Sequence, residues 1–160
     1  MRSLMIFGVA LASFAQPPCD EAHKGQFDFW IGEWNVYDTA GTLVGTNSIQ
    51  PMFEGCVLQE NWEGASGSKG SSFNFYNSKD AVWEQFWVWQ NGTTLHLQGG
   101  LNEGSMVLSG ETTGKEGRIL VNRITWTPNP DGSVRQHWEV SKDAGATFTS
   151  VFDGLYKKKS

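Results

Sequence analysis

The stretch Phe27-Asp28-Phe29-Trp30-Ile31-Gly32-Glu33-Trp34-Asn35-Val36-Tyr37-Asp38 carries five aromatic side chains in twelve residues. It passes through Gly32-x-Trp34 into an alternating run, Trp34-Asn35-Val36-Tyr37. A glycine turns the chain sharply with no Cβ penalty. A large aromatic two residues later can close the end of whatever the strand builds. The pattern reads as the entrance to a small antiparallel barrel, with Phe29, Trp30, Gly32 and Trp34 as its structural plug. It constrains the fold far more than the reaction.

From residue 34 onward, period-two patterning and Gly/Asn/Asp punctuation dominate. Strands are expected near 34–38, 43–52, 56–63, 71–77, 82–90, 94–99, 106–112, 118–127, 133–141 and 147–157. Asn91-Gly92 is the strongest hairpin signal, because both residues tolerate φ > 0. Pro130-Asp131-Gly132 and Asp143-Ala144-Gly145 mark further turns, and residues 64–70 form a flexible polar loop. The one helical candidate is a short turn in 20–25. About ten sequential antiparallel strands with 19 glycines fit an up-and-down barrel or a sandwich. Closure is favoured because it removes edge strands, and a barrel of this size can enclose one small ligand.

The N-terminus stands apart. Met1-Arg2 precedes a mostly apolar run from Leu4 to Phe14 and a small-x-small site, Ser13-Phe14-Ala15. This is the pattern of a secretory signal peptide, so residues 1–15 are expected to leave and 16–160 to form a single barrel domain, secreted or periplasmic. The run is too short to span a bilayer, which takes roughly 20 apolar residues. Gln16-Pro17-Pro18 before Cys19 does not resemble a lipoprotein signal. Loss of Arg2 takes the formal charge of −5 one unit further negative. An acidic surface argues against nucleic acid, whose phosphates demand a basic patch; the basic run Lys157-Lys158-Lys159 reads as a solvated tail. In an oxidising compartment the two cysteines, Cys19 and Cys56, predict one disulfide, with two free structural thiols as the alternative.

Four strands carry candidate chemistry. In 82–90, Trp83, Gln85, Trp87 and Trp89 share one face, while Val82, Glu84, Phe86 and Val88 share the other. Core packing and a ligand-stacking wall both fit the first face. In 133–141, Val134, Gln136, Trp138 and Val140 alternate with Arg135, His137, Glu139 and Ser141. The polar set either meets solvent or projects into a cavity, where His137 would be a general base oriented by Glu139, with Arg135 alongside. Same-face neighbours lie about 7 Å apart, close enough to share a substrate. Arg123, if inward, requires a carboxylate such as Glu60 or Glu84. His96 projects opposite to Leu95 and Leu97.

No metal site is expected, because His23, His96 and His137 are scattered with no ligand spacing. A lone histidine as a haem axial ligand is the one cofactor alternative. Nucleophile elbows, phosphate loops and dinucleotide fingerprints do not occur in the chain. Ser141-x-Asp143-x-Gly145-x-Thr147-Phe148 resembles the Asp-box hairpin of sialidase-type propellers. A single copy in a chain this short reads as a structural turn.

Phe27–Trp34, Gly55-Cys56-Val57-Leu58-Gln59-Glu60-Asn61-Trp62 and Arg123-Ile124-Thr125-Trp126-Thr127-Pro128 together resemble a family of small secreted bacterial proteins of unknown function, DUF1579. Gly32-Glu33-Trp34 is also similar to the Gly-x-Trp opening of lipocalins and other calycin barrels. In lipocalins a late-strand arginine packs over that tryptophan; Arg135, Arg123 or Lys157 is the counterpart the resemblance implies. It implies a fold and a compartment and carries over no catalytic residue. The expectation is therefore an all-β, calycin-like barrel of about ten strands that binds a small, partly apolar molecule. The candidate ligand-binding residues are Gln85, Trp87, His96, Arg123, Arg135 and His137. An enzyme of lyase, isomerase or cyclase type using Arg135, His137 and Glu139 is one alternative. An interaction module with an exposed aromatic patch is another, and the oligomeric state is open.

Overall fold

The computed structural model describes residues 19–159; the leader read in residues 1–15 lies outside them. Ten strands follow one another: β1 Gly32–Tyr37, β2 Leu43–Met52, β3 Val57–Gly64, β4 Lys69–Asn77, β5 Val82–Trp89, β6 Thr94–Asn102, β7 Ser105–Thr113, β8 Ile119–Pro128, β9 Val134–Ser141 and β10 Thr149–Lys158. Each pairs antiparallel with its neighbours in sequence, and β1 pairs with β10, so the sheet closes on itself. The result is an all-β, up-and-down barrel of calycin-like topology with no free edge among the described residues. Every expected strand is present within a few residues at each end.

At the closing seam Trp34 lies across from Lys158 and Val36 across from Tyr156. Alternation then sends Trp34, Val36 and Tyr156 inward, and all three are buried. Interior positions on the other strands follow the same rule: Leu58 and Glu60 on β3, Trp83 and Gln85 on β5, Ile124 and Trp126 on β8.

The aromatic segment before β1 is helical. A 3₁₀ helix runs over Lys24–Trp30, longer than the expected turn in 20–25, and the strand begins at Gly32. The 3₁₀ repeat of three residues per turn eclipses positions i and i+3. Phe27 and Trp30 therefore stack on one side of the helix at 5.0 Å between ring centroids. Both are 0% exposed. They seal the base of the barrel against Trp126, whose ring lies 5.2 Å from Phe27 and 5.4 Å from Trp30. Phe29 packs beside them, half-buried.

Trp34 completes the plug. Its Nε1 donates to the Trp30 carbonyl at 2.8 Å. The Lys158 ammonium sits 4.1 Å from its ring centroid and donates to the Ile31 carbonyl. The cation over the tryptophan is thus Lys158, not Arg135, Arg123 or Lys157. The register is the reason: Lys158 is directly opposite Trp34, whereas Lys157, one residue away, turns to the Tyr37 ring. Gly32 has φ of 140°, and a Cβ there would meet Lys158 Nζ, so the glycine also makes room for this cation.

Cys19 and Cys56 form a disulfide with their Cα atoms 5.6 Å apart. It ties the segment ahead of the plug helix to the start of β3. Closing a loop of this length stabilises by about 3–4 kcal/mol in the chain-entropy account.

Two turns refine the expectations. The β5–β6 hairpin closes through Gly92 N–H to the Trp89 carbonyl at 2.8 Å, and Gly92 has positive φ while Asn91 does not. Asn91 instead uses its side chain, accepting from Thr93 N–H at 3.0 Å. In the β9–β10 turn, Asp143 accepts from Ser141 Oγ at 2.6 Å and from Thr147 N–H at 2.8 Å. Those hydrogen bonds hold its carboxyl down at about 2, as befits a structural Asp-box.

The Trp34→Ala variant is expected to lose about 3–5 kcal/mol of unfolding free energy, the usual cost of emptying a buried tryptophan site. Urea denaturation measures it; a loss under about 1 kcal/mol would show that the ring does not hold the base together.

Candidate functional site

The plug fills the lower half of the barrel, and the upper half is hollow. A cavity of about 630 Å³ opens at the opposite end, bounded at its rim by Asp38, Thr39, Ser68, Ser150 and Val151. Its walls are Trp62 from β3, Trp87 and Trp89 from β5, Trp138 from β9 and Phe152 from β10, with Val44, Leu95 and Ile124 between them.

So many large rings would ordinarily choke a barrel of this size. Glycines at inward positions prevent it. A Cβ on Gly45 would lie 2.5 Å from Trp62 Cη2, one on Gly70 2.2 Å from Trp87 Cζ2, and one on Gly154 2.6 Å from Phe152 Cε1. Each ring occupies wall space that a side chain would otherwise take. The rings then contact one another around the wall, Trp87 to Trp89 at 5.5 Å and Trp89 to Trp138 at 6.1 Å.

The floor is polar. Glu60 is 3% exposed, and its Oε1 accepts from Asn47 Nδ2 at 2.7 Å while its Oε2 accepts from Ser72 Oγ at 2.6 Å. Behind Ser72, Asn74 Nδ2 donates to Ser72 Oγ at 2.8 Å, and Gln85 Nε2 donates to Asn74 Oδ1 at 2.9 Å. On the far side Asn47 Nδ2 also reaches the Tyr156 hydroxyl at 3.3 Å, which itself donates to Gln136 Oε1. A relay of neutral groups thus crosses the floor from β5 to β9, and Glu60 is its one carboxylate. Burial pushes that carboxyl up to about 7 against the opposing hydrogen bonds from Ser72 and Asn47. Burial, aided by the Glu60 charge, also raises the Tyr156 hydroxyl well above its usual range.

Of the six candidate ligand-binding residues, the structure brings Gln85 and Trp87 to the cavity. The other four stand on the outer face. His96 Nε2 lies 2.6 Å from Glu84 Oε2, whose Oε1 accepts from Asn77 at 2.6 Å. Arg123 does not turn inward to Glu60 or Glu84. It donates to Glu139 Oε2 through Nη2 at 3.0 Å and rests 3.8 Å from the Phe148 ring centroid. Arg135 grips Asp153, with Nε to Oδ1 at 2.8 Å. His137 meets Ser150 Oγ at 3.1 Å, with its Nδ1 3.8 Å from Glu139 Oε2. Arg135, His137 and Glu139 do form a row, but outside the lumen, because Gln136 and Trp138 take the inward positions of β9. An interior general-base array from these residues is therefore corrected. His23, His96 and His137 do not line the cavity. Among the described residues no group of three His, Cys, Asp or Glu is placed to hold a metal ion, and no helix is long and apolar enough to cross a membrane.

Sequence reasoning missed Glu60 as a floor residue, along with Asn47, Ser72, Asn74 and Gln136. A usable signal was present: Glu60 sits between Leu58 and Trp62 on one face of its strand, a carboxylate on an otherwise apolar side.

Glu60 makes stability depend on pH in a definite direction. The folded state keeps a proton between about 4.5 and about 7 that the unfolded chain has released. Its contribution is therefore lost as pH rises through that window, by about 3 kcal/mol in all. Glu60→Gln is expected to remove this slope, so that the variant gains on the parent between pH 5 and pH 8 in urea denaturation. Parallel profiles for the two proteins would refute it.

No family model matches the chain and no curated protein matches it, so the resemblance to DUF1579 remains one of three short segments, and what the structure establishes is the class: a closed ten-stranded antiparallel barrel of calycin-like topology.

Proposed function

We propose that this is a secreted or periplasmic binding protein that takes a small, partly apolar molecule into the upper half of its barrel. The observation that carries the reading is the cavity of about 630 Å³, a volume typical of sites for small organic molecules. Aromatic walls with a few convergent polar groups on the floor are the usual composition of such sites. Glycines placed so that the rings clear the lumen support the same reading, since a barrel built only for stability gains by filling its interior. The disulfide and the leader-like first fifteen residues support the compartment, as does the resemblance to small secreted proteins.

No reaction is proposed. The residues that would carry one stand on the outer face in ion pairs of their own. A second reading, an interaction module, is favoured by one observation: Phe73 and Phe86 pair across β4 and β5 on the outside, 45% and 44% exposed. A strictly monomeric protein in light scattering would remove it.

The neutral fluorophore N-phenyl-1-naphthylamine is expected to bind at one site per chain and quench tryptophan emission. Val44→Trp at the cavity wall and Gly70→Ala, which displaces the Trp87 ring into the lumen, should each weaken that binding about tenfold or more, the effect of losing a well-formed apolar contact surface. Unchanged binding in both variants, with both folded by circular dichroism, would place the fluorophore elsewhere and overturn the reading.

A further inference from the structure

The chemistry of the cavity narrows what it takes, and the inference rests on the binding reading above. Glu60 is a carboxylate at the bottom of an apolar shaft. Each of its oxygens accepts one hydrogen bond, and a carboxylate oxygen has two lone pairs, so each has a second to offer. Among the described residues no Lys, Arg or His lines the cavity; its ionisable groups are Asp38, Glu60, Asp153 and Tyr156, all acids. Arg135 is turned outward onto Asp153. A charge buried this deeply ordinarily has a counter-charge, and this one has none among the described residues.

The walls ask for the same partner. Trp62, Trp87, Trp89, Trp138 and Phe152 surround the lumen, and the faces of such rings attract cations, most strongly when water is excluded. Trp62 lies two residues along β3 from Glu60, about 7 Å toward the mouth. A cation on Glu60 would therefore carry its apolar body into the aromatic ring of walls after a spacer of two or three atoms. An anion would be repelled by Glu60, and a neutral molecule would leave the buried charge uncompensated.

We infer that the cavity takes a monocationic amine with an apolar or aromatic body, its ammonium seated on Glu60 and its body held by the tryptophans of the mouth. Asn47 from β2 and Ser72 from β4 bond Glu60, Ile49 lies across from it on β2, and the Tyr156 hydroxyl from β10 joins it through Asn47. None of them changes charge between pH 6 and pH 8, so Glu60 alone sets the pH dependence. Its carboxyl, raised to about 7, ionises across that interval while an alkylammonium stays charged. Amine affinity accordingly rises with pH.

Isothermal titration calorimetry with three matched probes tests this: phenethylamine, its neutral isostere 2-phenylethanol, and the anion 3-phenylpropionate. At pH 8 phenethylamine is expected to bind at least about tenfold tighter than the alcohol, the fold-change a charge-assisted hydrogen bond supports, with the anion weakest. From pH 6 to pH 8 its affinity should rise roughly tenfold, following the ionised fraction of Glu60. In Glu60→Gln, checked as folded by circular dichroism, both the preference and the slope should vanish. Equal binding of alcohol and amine, or amine affinity that falls as pH rises, would overturn the inference and make Glu60 a neutral hydrogen-bond donor. In that outcome the naphthylamine still binds and the cavity reading survives. If neither the naphthylamine nor any of the three probes binds, the cavity reading falls with it.

Discussion

The antiparallel seam between β1 and β10 is the constraint on which the rest of the molecule depends. Setting Trp34 opposite Lys158 and Val36 opposite Tyr156 decides which face of every later strand turns inward. A slip of one residue would exchange the two faces entirely, because side chains alternate with a period of two. The seam is held at its base by three contacts that meet at Trp34: its indole N–H to the Trp30 carbonyl, the Lys158 ammonium above its ring, and that ammonium's bond to the Ile31 carbonyl. The disulfide secures the segment that delivers Phe27 and Trp30 to the same place. Closure, plug and disulfide are therefore one device at one end of the barrel.

Concentrating stability at the base leaves the other end free to be hollow. The contrast lies in how the two ends treat aromatic volume. At the base, Phe27, Trp30 and Trp126 interlock across the axis and exclude water. At the mouth, the missing side chains of Gly45, Gly70 and Gly154 let rings of similar size stand against the wall. The floor between the two regions is a row of hydrogen-bonded polar groups around a single buried carboxylate. A barrel under no demand but stability would place apolar side chains there, since burying a charge without a counter-charge costs several kcal/mol. Such local departures from the rules of good packing are expected where a site is kept for another molecule.

Much of this was legible beforehand, and the division is instructive. Alternation and turn residues located all ten strands, and the even cysteine count anticipated the Cys19–Cys56 pairing. The Gly-x-Trp pattern identified the plug, but the expected helical turn in 20–25 stopped short of the helix that carries Phe27 and Trp30; consecutive aromatics carry no clean period, and the 3₁₀ stacking of Phe27 on Trp30 needs the barrel base to stack against. On β5 the four-residue set Trp83, Gln85, Trp87 and Trp89 was visible as a face, but both faces of that strand are apolar enough to lie inside. On β9 chemical interest drew attention to Arg135, His137 and Glu139. Charged side chains in a row are more easily satisfied by one another at the surface, and Arg123 and Asp153 complete that arrangement from β8 and β10.

The sequence by itself determined the local facts: where the chain extends, where it turns, which residues share a strand face and which cysteines are available to pair. These follow from backbone geometry and neighbours only a few positions apart. Only the tertiary structure decided which face is inside, which end is sealed, and that Glu60, Ser72, Asn47 and Tyr156 converge beneath a ring of tryptophans. Those residues span four strands and more than a hundred positions, and their meeting depends on the closing register of β1 on β10. The empty space above them belongs to no residue, since it arises where glycines on β2, β4 and β10 give way to rings from β3, β5 and β10.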